Sequence, residues 1–135
     1  DTARIRLPFT SLGQTPEAFS TYYLPRLIGL GKAFELWFTS RFIESDEALE
    51  IGLVNKVVPA AELMEAANDL AAEIAKNAPT ALMLTKRLGY LGVGSDIYAA
   101  RHFENFAQDY VYGREDFKEA VSAFNEKREP KFSGE

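Results

Sequence analysis

Cysteine is absent from this 135-residue chain, and histidine occurs once, at His102. Without cysteine there are no disulfides, thiolate metal ligands or thiol nucleophiles. A lone histidine argues against a histidine metal cluster and a serine–histidine pair, so no metal site is expected. No apolar run approaches the roughly 20 residues of a membrane span. Basic residues do not dominate either: 15 Lys and Arg stand against 20 Asp and Glu, a net charge of −5. Neither nucleic acid nor membrane is expected as a partner. What remains is an ordinary globular balance, 47% hydrophobic and 26% charged, with enough residues for one domain and a real core. No targeting segment is recognised, and the expected setting is soluble and cytoplasmic.

Strand-forming segments are also scarce. Ile5-Arg6-Leu7-Pro8-Phe9 has a strand pattern, and Val54–Val58 is the one other short candidate. Two such strands make a poor sheet. The expectation is that Asp1 is not a natural domain start and that a partner sheet lies outside this sequence.

Helical patterning fills most of the rest. A first helix is predicted to end near Gly29, and a second, with little polar face, to cover Lys32–Ser40. Ser45-Asp46-Glu47 caps a short helix that ends near Gly52. From about Ala60 to Asn77, Leu63, Ala67, Leu70, Ala71 and Ile74 recur at three- and four-residue steps opposite acidic residues. Pro79 opens a helix that the Gly89, Gly92 and Gly94 cluster is expected to end. That cluster follows a helix and not a strand, so it is no phosphate loop. Ser95 is predicted to cap a long helix to about Tyr112, and Arg114–Lys127 forms the last. Aromatic residues at helical spacing on these last two are read first as core, and second as an oligomer interface.

One carboxylate stands out. Glu17 follows the first strand and a glycine turn, at the mouth of the first predicted helix. Thr15 is a candidate N-cap and Pro16 suits the first helical position. Glu17 would then complement the helix dipole, by roughly 0.3–1 kcal/mol. The same placement also suits a proton carrier for a carbonyl substrate, and these two roles are compatible.

Three segments together resemble the C-terminal half of the crotonase superfamily, the enoyl-CoA hydratases and isomerases. They are Leu24-Pro25-Arg26-Leu27-Ile28-Gly29 with Lys32-Ala33 and Glu35-Leu36, then Glu47 to Pro59, then Arg114 to Phe132. The resemblance implies an α/β fold: the C-terminal part of a crotonase (ClpP-like) fold, here mostly helical with one or two short strands. Residues 1–58 would be the end of the crotonase core with the active-site helix, and 59–135 a C-terminal helical oligomerisation region. An acyl-CoA substrate is implied, with no cofactor beyond the coenzyme A that the substrate carries. Assembly as a homo-oligomer, a trimer or hexamer, is implied as well.

Departures from the family pattern sharpen the expectation. Hydratases of the family have a catalytic glutamate in a Pro-Glu pair where this chain has Pro8-Phe9. They have a glycine-rich turn where it has Pro16-Glu17-Ala18-Phe19-Ser20. Residues 8–17 are similar to the peroxisomal-type Δ3,Δ2-enoyl-CoA isomerases, which implies that Glu17 is the catalytic base. One carboxylate can take a proton from C2 and return it at C4, whereas the hydratases hold water between two. Phe9 and Phe19 are the expected substrate-binding neighbours, and with Leu24 they would desolvate the base and raise its pKa. Phe124 and Lys127 match a terminal motif that approaches coenzyme A in relatives; the residues alone read as a core phenylalanine and a solvated lysine. Arg26 is read as structural. The oxyanion donors and most of the adenine grip would lie before the position of Asp1, so this polypeptide alone is expected to be inactive. Double-bond isomerisation is the first reading. Hydration or another acyl-CoA reaction of the family, or a non-catalytic interaction module, is the alternative.

Overall fold

The computed structural model describes residues 1–135. The chain divides into two compact units, Asp1–Ala66 and Ala67–Glu135.

The first unit begins with strand β1 (Arg4–Arg6) and a 3-10 turn at Thr10–Leu12. Helices α1 (Ser20–Ile28) and α2 (Leu30–Thr39), strand β2 (Phe42–Glu44) and helix α3 (Ser45–Glu50) follow. The two strands pair antiparallel, Ile5 opposite Ile43, so β1 finds its partner within the chain. This corrects the expectation of a wholly external partner, and the segment Val54–Val58 contains no strand. A run as short as Phe42-Ile43-Glu44 has too little alternation to announce itself, and pairing makes it a strand. Ile43 points inward and is fully buried. On the outer face Arg4 meets Glu44 at 2.9 Å and lies 4.2 Å over the Phe42 ring.

Two clusters form this unit's core. Leu24, Ala33 and Trp37 join α1 to α2, with Leu7, Phe9, Ile28 and Leu53 packed against them. Leu36, Ile43 and Ala48 join α2, β2 and α3. Burying a leucine or isoleucine side chain completely is worth about 1.5–3 kcal/mol, which fixes the register of these short elements. Outside the clusters, Arg41 bridges Glu35 at 2.7 Å and Glu47 at 2.6 Å. Arg41 is therefore pushed up from its ordinary value, chiefly by Glu47 and then Glu35.

Helix α4 (Leu63–Ala75), preceded by a 3-10 turn at Ala60–Glu62, carries the chain across the division. Its apolar face is not buried: Leu63, Leu70 and Ile74 are all exposed. The second unit continues with α5 (Pro79–Gly94), α6 (Ile97–Tyr112) and α7 (Glu115–Glu126). Helix α5 runs through Gly89 and Gly92, neither of which adopts a positive φ, and ends at Gly94, the last glycine of the predicted cluster. The cap of α6 is Asp96, not Ser95. Its carboxylate accepts the Tyr98 and Ala99 N–H groups at 2.9 and 3.0 Å. Ser95 instead donates its hydroxyl to the Leu91 carbonyl. Aromatic residues of α6 and α7 expected in the core are largely exposed, among them Phe106 and Phe124.

Candidate functional site

The loop that carries Glu17 is anchored upstream by α2. After β1 the chain turns at Thr10–Leu12, and Gly13 ends that turn with a φ of 70°. The Thr10 hydroxyl donates to the Trp37 carbonyl and lies 3.1 Å from the Ser40 hydroxyl. Arg6 Nε donates to the Ser40 carbonyl at 2.6 Å. Ser40 itself is buried in a left-handed conformation, with φ 49°, at the end of α2. Residues 6–13 are thus tied to one point of the core, and the chain from Gln14 to Phe19 leaves that anchor.

Glu17 is exposed and lies outside the helix, which begins three residues later at Ser20. The predicted start at Thr15-Pro16 fails for a backbone reason. Ala18 and Phe19 adopt left-handed φ values of 54° and 59°, which a right-handed helix cannot include. The turn closes through the main chain, with the Ser20 N–H donating to the Glu17 carbonyl at 3.0 Å. No side chain caps α1 and no acid lies in its first turn, so the dipole contribution foreseen for Glu17 is not in place. Two adjacent non-glycine residues in this region cost about 1–2 kcal/mol each, and such strain concentrates where a side chain must be presented.

The expected hydrophobic surround of Glu17 is only partly assembled. Phe9 and Leu24 do come together, in the cluster with Ala33 and Trp37. Phe19 remains 78% exposed and Glu17 is open to solvent, so within this chain nothing desolvates that carboxylate. The hydroxyl of Ser20 at the head of α1 is buried without a hydrogen-bond partner. Arg26 has the structural role expected of it. It donates to the Tyr22 carbonyl at 2.7 Å and stacks 3.7 Å over that ring.

In the second unit, Phe124 is 84% exposed, which overturns its reading as a core residue. Lys127 is exposed and ends α7 with a left-handed φ of 56°. The turn after it is held by Arg128, which makes a two-pronged contact with Glu119 at 2.6 and 2.9 Å. Both expected residues are therefore presented on a fixed helix end, free of the core.

Thr10 and Ser40, which hold the Glu17 loop, escaped sequence reasoning. Their partnership spans 30 residues, and no local pattern marks it. A Ser closing the predicted helix Lys32–Ser40, where Gly is the usual helix-ending residue, is the local feature at that position.

The whole chain, residues 1–135, matches the family described as enoyl-CoA hydratase/isomerase. The chain belongs to that family. The fold agrees: an enoyl-CoA hydratase from Bacillus anthracis superposes with a TM-score of 0.94 at 41% identity, covering 98% of this chain and 52% of that one. The short-chain-enoyl-CoA hydratase of Clostridium acetobutylicum is 46% identical over 93% of this chain and 48% of its own length. The crotonyl-CoA hydratase of Syntrophomonas wolfei is 38% identical over 96% of this chain and 50% of its own. This family member thus spans about half the length of the curated relatives it matches. All three relatives bear the name of a hydratase, whereas the sequence reading placed isomerisation first. The enzyme family and the crotonase fold stand as expected.

Proposed function

We propose that this chain is part of an acyl-CoA enzyme that acts on an enoyl-CoA, with Glu17 as the group that moves the proton. The observation that carries this reading is the placement of Glu17 on a strained loop anchored to the core through Thr10 and Ser40. A carboxylate presented to solvent just beyond an anchored turn would be free to reach the carbon next to a thioester and exchange a proton there. Developing charge on the thioester oxygen needs a pair of N–H donors, worth several kcal/mol, and a longer parent chain would contribute them. Phe9 and Phe19 would line the acyl side, and Phe124 and Lys127 would meet the coenzyme A portion. Coenzyme A belongs to the substrate, and no separate cofactor enters the reading.

Within that class, the names of the relatives favour hydration of a 2-enoyl-CoA. A second reading, double-bond isomerisation, is favoured by Phe9. That residue packs in the cluster with Trp37 at the position where the family resemblance puts the second acid of a hydratase. With Glu17 as the sole acid between Arg6 and Lys32, this segment offers one proton carrier, which suits a shift from C3 to C2 better than activation of water.

Parallel assays of the parent protein separate the two. Hydration of crotonyl-CoA faster than isomerisation of a 3-enoyl-CoA supports hydratase action, and the reverse order supports the isomerase. Neither activity in a parent that binds an acyl-CoA would remove both enzyme readings and leave an interaction module. We also propose a homo-oligomer, a trimer or hexamer, since the second unit exposes Phe106, Tyr98 and Phe124.

A further inference from the structure

Around Glu17 the local sequence and the backbone disagree. Thr15-Pro16 is a valid helix start, yet α1 begins only at Ser20. Between them Ala18 and Phe19 hold left-handed φ values of 54° and 59°, although neither residue type favours that region. The Ser20 hydroxyl is buried without a hydrogen-bond partner, a second unfavourable feature of the same turn. Little packing holds these residues in place. Gln14, Thr15, Glu17, Ala18 and Phe19 are all exposed. The turn closes through the main chain, where the Ser20 N–H donates to the Glu17 carbonyl at 3.0 Å. Upstream, the Gln14 N–H is fixed to the Phe9 carbonyl at 2.8 Å. Strain is therefore confined to a short segment between an anchored turn and a regular helix.

A second arrangement of the same residues removes each of these faults. Continuing α1 back by one turn places Pro16, Glu17 and Ala18 in its first turn, with Thr15 as N-cap. Ala18 and Phe19 then take right-handed values. The Phe19 carbonyl already accepts the Tyr23 N–H at 3.0 Å, and it keeps that bond. The Ser20 N–H passes from the Glu17 carbonyl to the Pro16 carbonyl, four residues back. The Ser20 hydroxyl gains the same carbonyl as an acceptor. Thr15, whose side chain makes no hydrogen bond in the observed turn, accepts an N–H of the new first turn. Glu17 exchanges solvent for the helix end, where its charge complements the dipole. Local preference and backbone agree along most of a natural chain, and the exceptions concentrate at functional sites.

We propose that residues 15–19 form a two-state element: the observed turn, which presents Glu17 to solvent, and an α1 extended to Pro16, which withdraws it. The effect on turnover rests on the reading of Glu17 as the proton carrier; the exchange itself does not. Relaxation dispersion of the Ala18 methyl in the parent protein, labelled at alanine methyls, reads that exchange. Dispersion is expected at Ala18 and not at Ala33 or Ala48, both fully buried. Thr15→Ala removes the cap of the extended state alone, so the population of that state should fall about five-fold and the dispersion with it. Ala18→Val disfavours the left-handed region and should lower kcat, whereas Ala18→Gly, which favours that region, should not. Thermal unfolding confirms that each variant folds. A flat Ala18 profile, or one that Thr15→Ala leaves unchanged, overturns the two-state turn without touching the Glu17 reading. Dispersion that responds to Thr15→Ala, in a parent whose turnover survives Glu17→Gln, supports the exchange and removes the base. Turnover lost in Glu17→Gln but intact in folded Ala18→Val overturns the element as a control on Glu17.

Discussion

The hydroxyl groups of Thr10 and Ser40 lie 3.1 Å apart, one at the turn after β1 and the other at the end of α2. Ser40 holds this contact in a left-handed conformation that a side chain makes unfavourable. Two substitutions separate the hydrogen bond from the strain. Ser40→Ala loses the bond and keeps the strain, so a loss of about 1–2 kcal/mol is expected on urea unfolding. Ser40→Gly loses the same bond and releases the strain. It should be more stable than the alanine variant by about 1 kcal/mol. Equal stabilities would show that φ at this position carries no penalty.

Glu17→Gln in the parent protein should reduce turnover by about 10²–10⁴-fold, the usual contribution of a positioned proton carrier. Because Glu17 is exposed and accepts no structural hydrogen bond through its side chain, stability should change by less than about 0.5 kcal/mol. Turnover and a thermal unfolding curve on the same sample check both halves. Unchanged turnover would remove Glu17 as the base.

Acid should loosen the segment after α7 over a definite range. The Arg128 guanidinium, and secondly the Lys131 N–H, hold the Glu119 carboxyl down at about 2, from an ordinary 4.5. A depressed carboxyl contributes its stabilisation above the unfolded value and loses it as pH falls through the folded one. Protection of the Lys131 amide, taken as its exchange rate relative to the intrinsic rate at each pH, should therefore hold above pH 4.5 and fall between there and pH 2. Glu119→Gln should show fast exchange at neutral pH already. A wild-type profile flat across this range would contradict the assigned role of the Arg128 contact.

The exposed aromatic surface of the second unit sets the expectation for assembly. Phe106 and Phe124 are 79% and 84% exposed, and Tyr98 75%, which is apolar area that association could bury. Sedimentation of the parent protein should give a mass above the monomer, and Phe106→Asp should shift it downward. A stable monomer at micromolar concentration would count against the oligomer.

Much of the helical layout was legible beforehand because it rests on local rules. The end of α1 at Gly29 follows from a residue that tolerates a positive φ, whereas Lys127 ends α7 in a left-handed conformation that its residue type does not announce. The start of α1 was misplaced because Thr15 and Pro16 carry a valid local signal that the backbone at Ala18 and Phe19 overrides. Strand β2 was missed because three residues are too few to show a period, and only pairing with β1 defines them. Phe124 was ambiguous for a similar reason. Helical spacing says that aromatics share a face, not what that face meets.

By itself the sequence determined the family, the run of helices and the identity of Glu17 as the acid worth weighing. Those depend on residue types at fixed spacings along one chain. Tertiary structure alone decided that Glu17 stands before its helix, that Thr10 and Ser40 hold the loop behind it, and that Asp116 clasps Ser133 and Gly134. These contacts join groups 17 to 30 positions apart, and packing, not local propensity, brings such groups within hydrogen-bond reach.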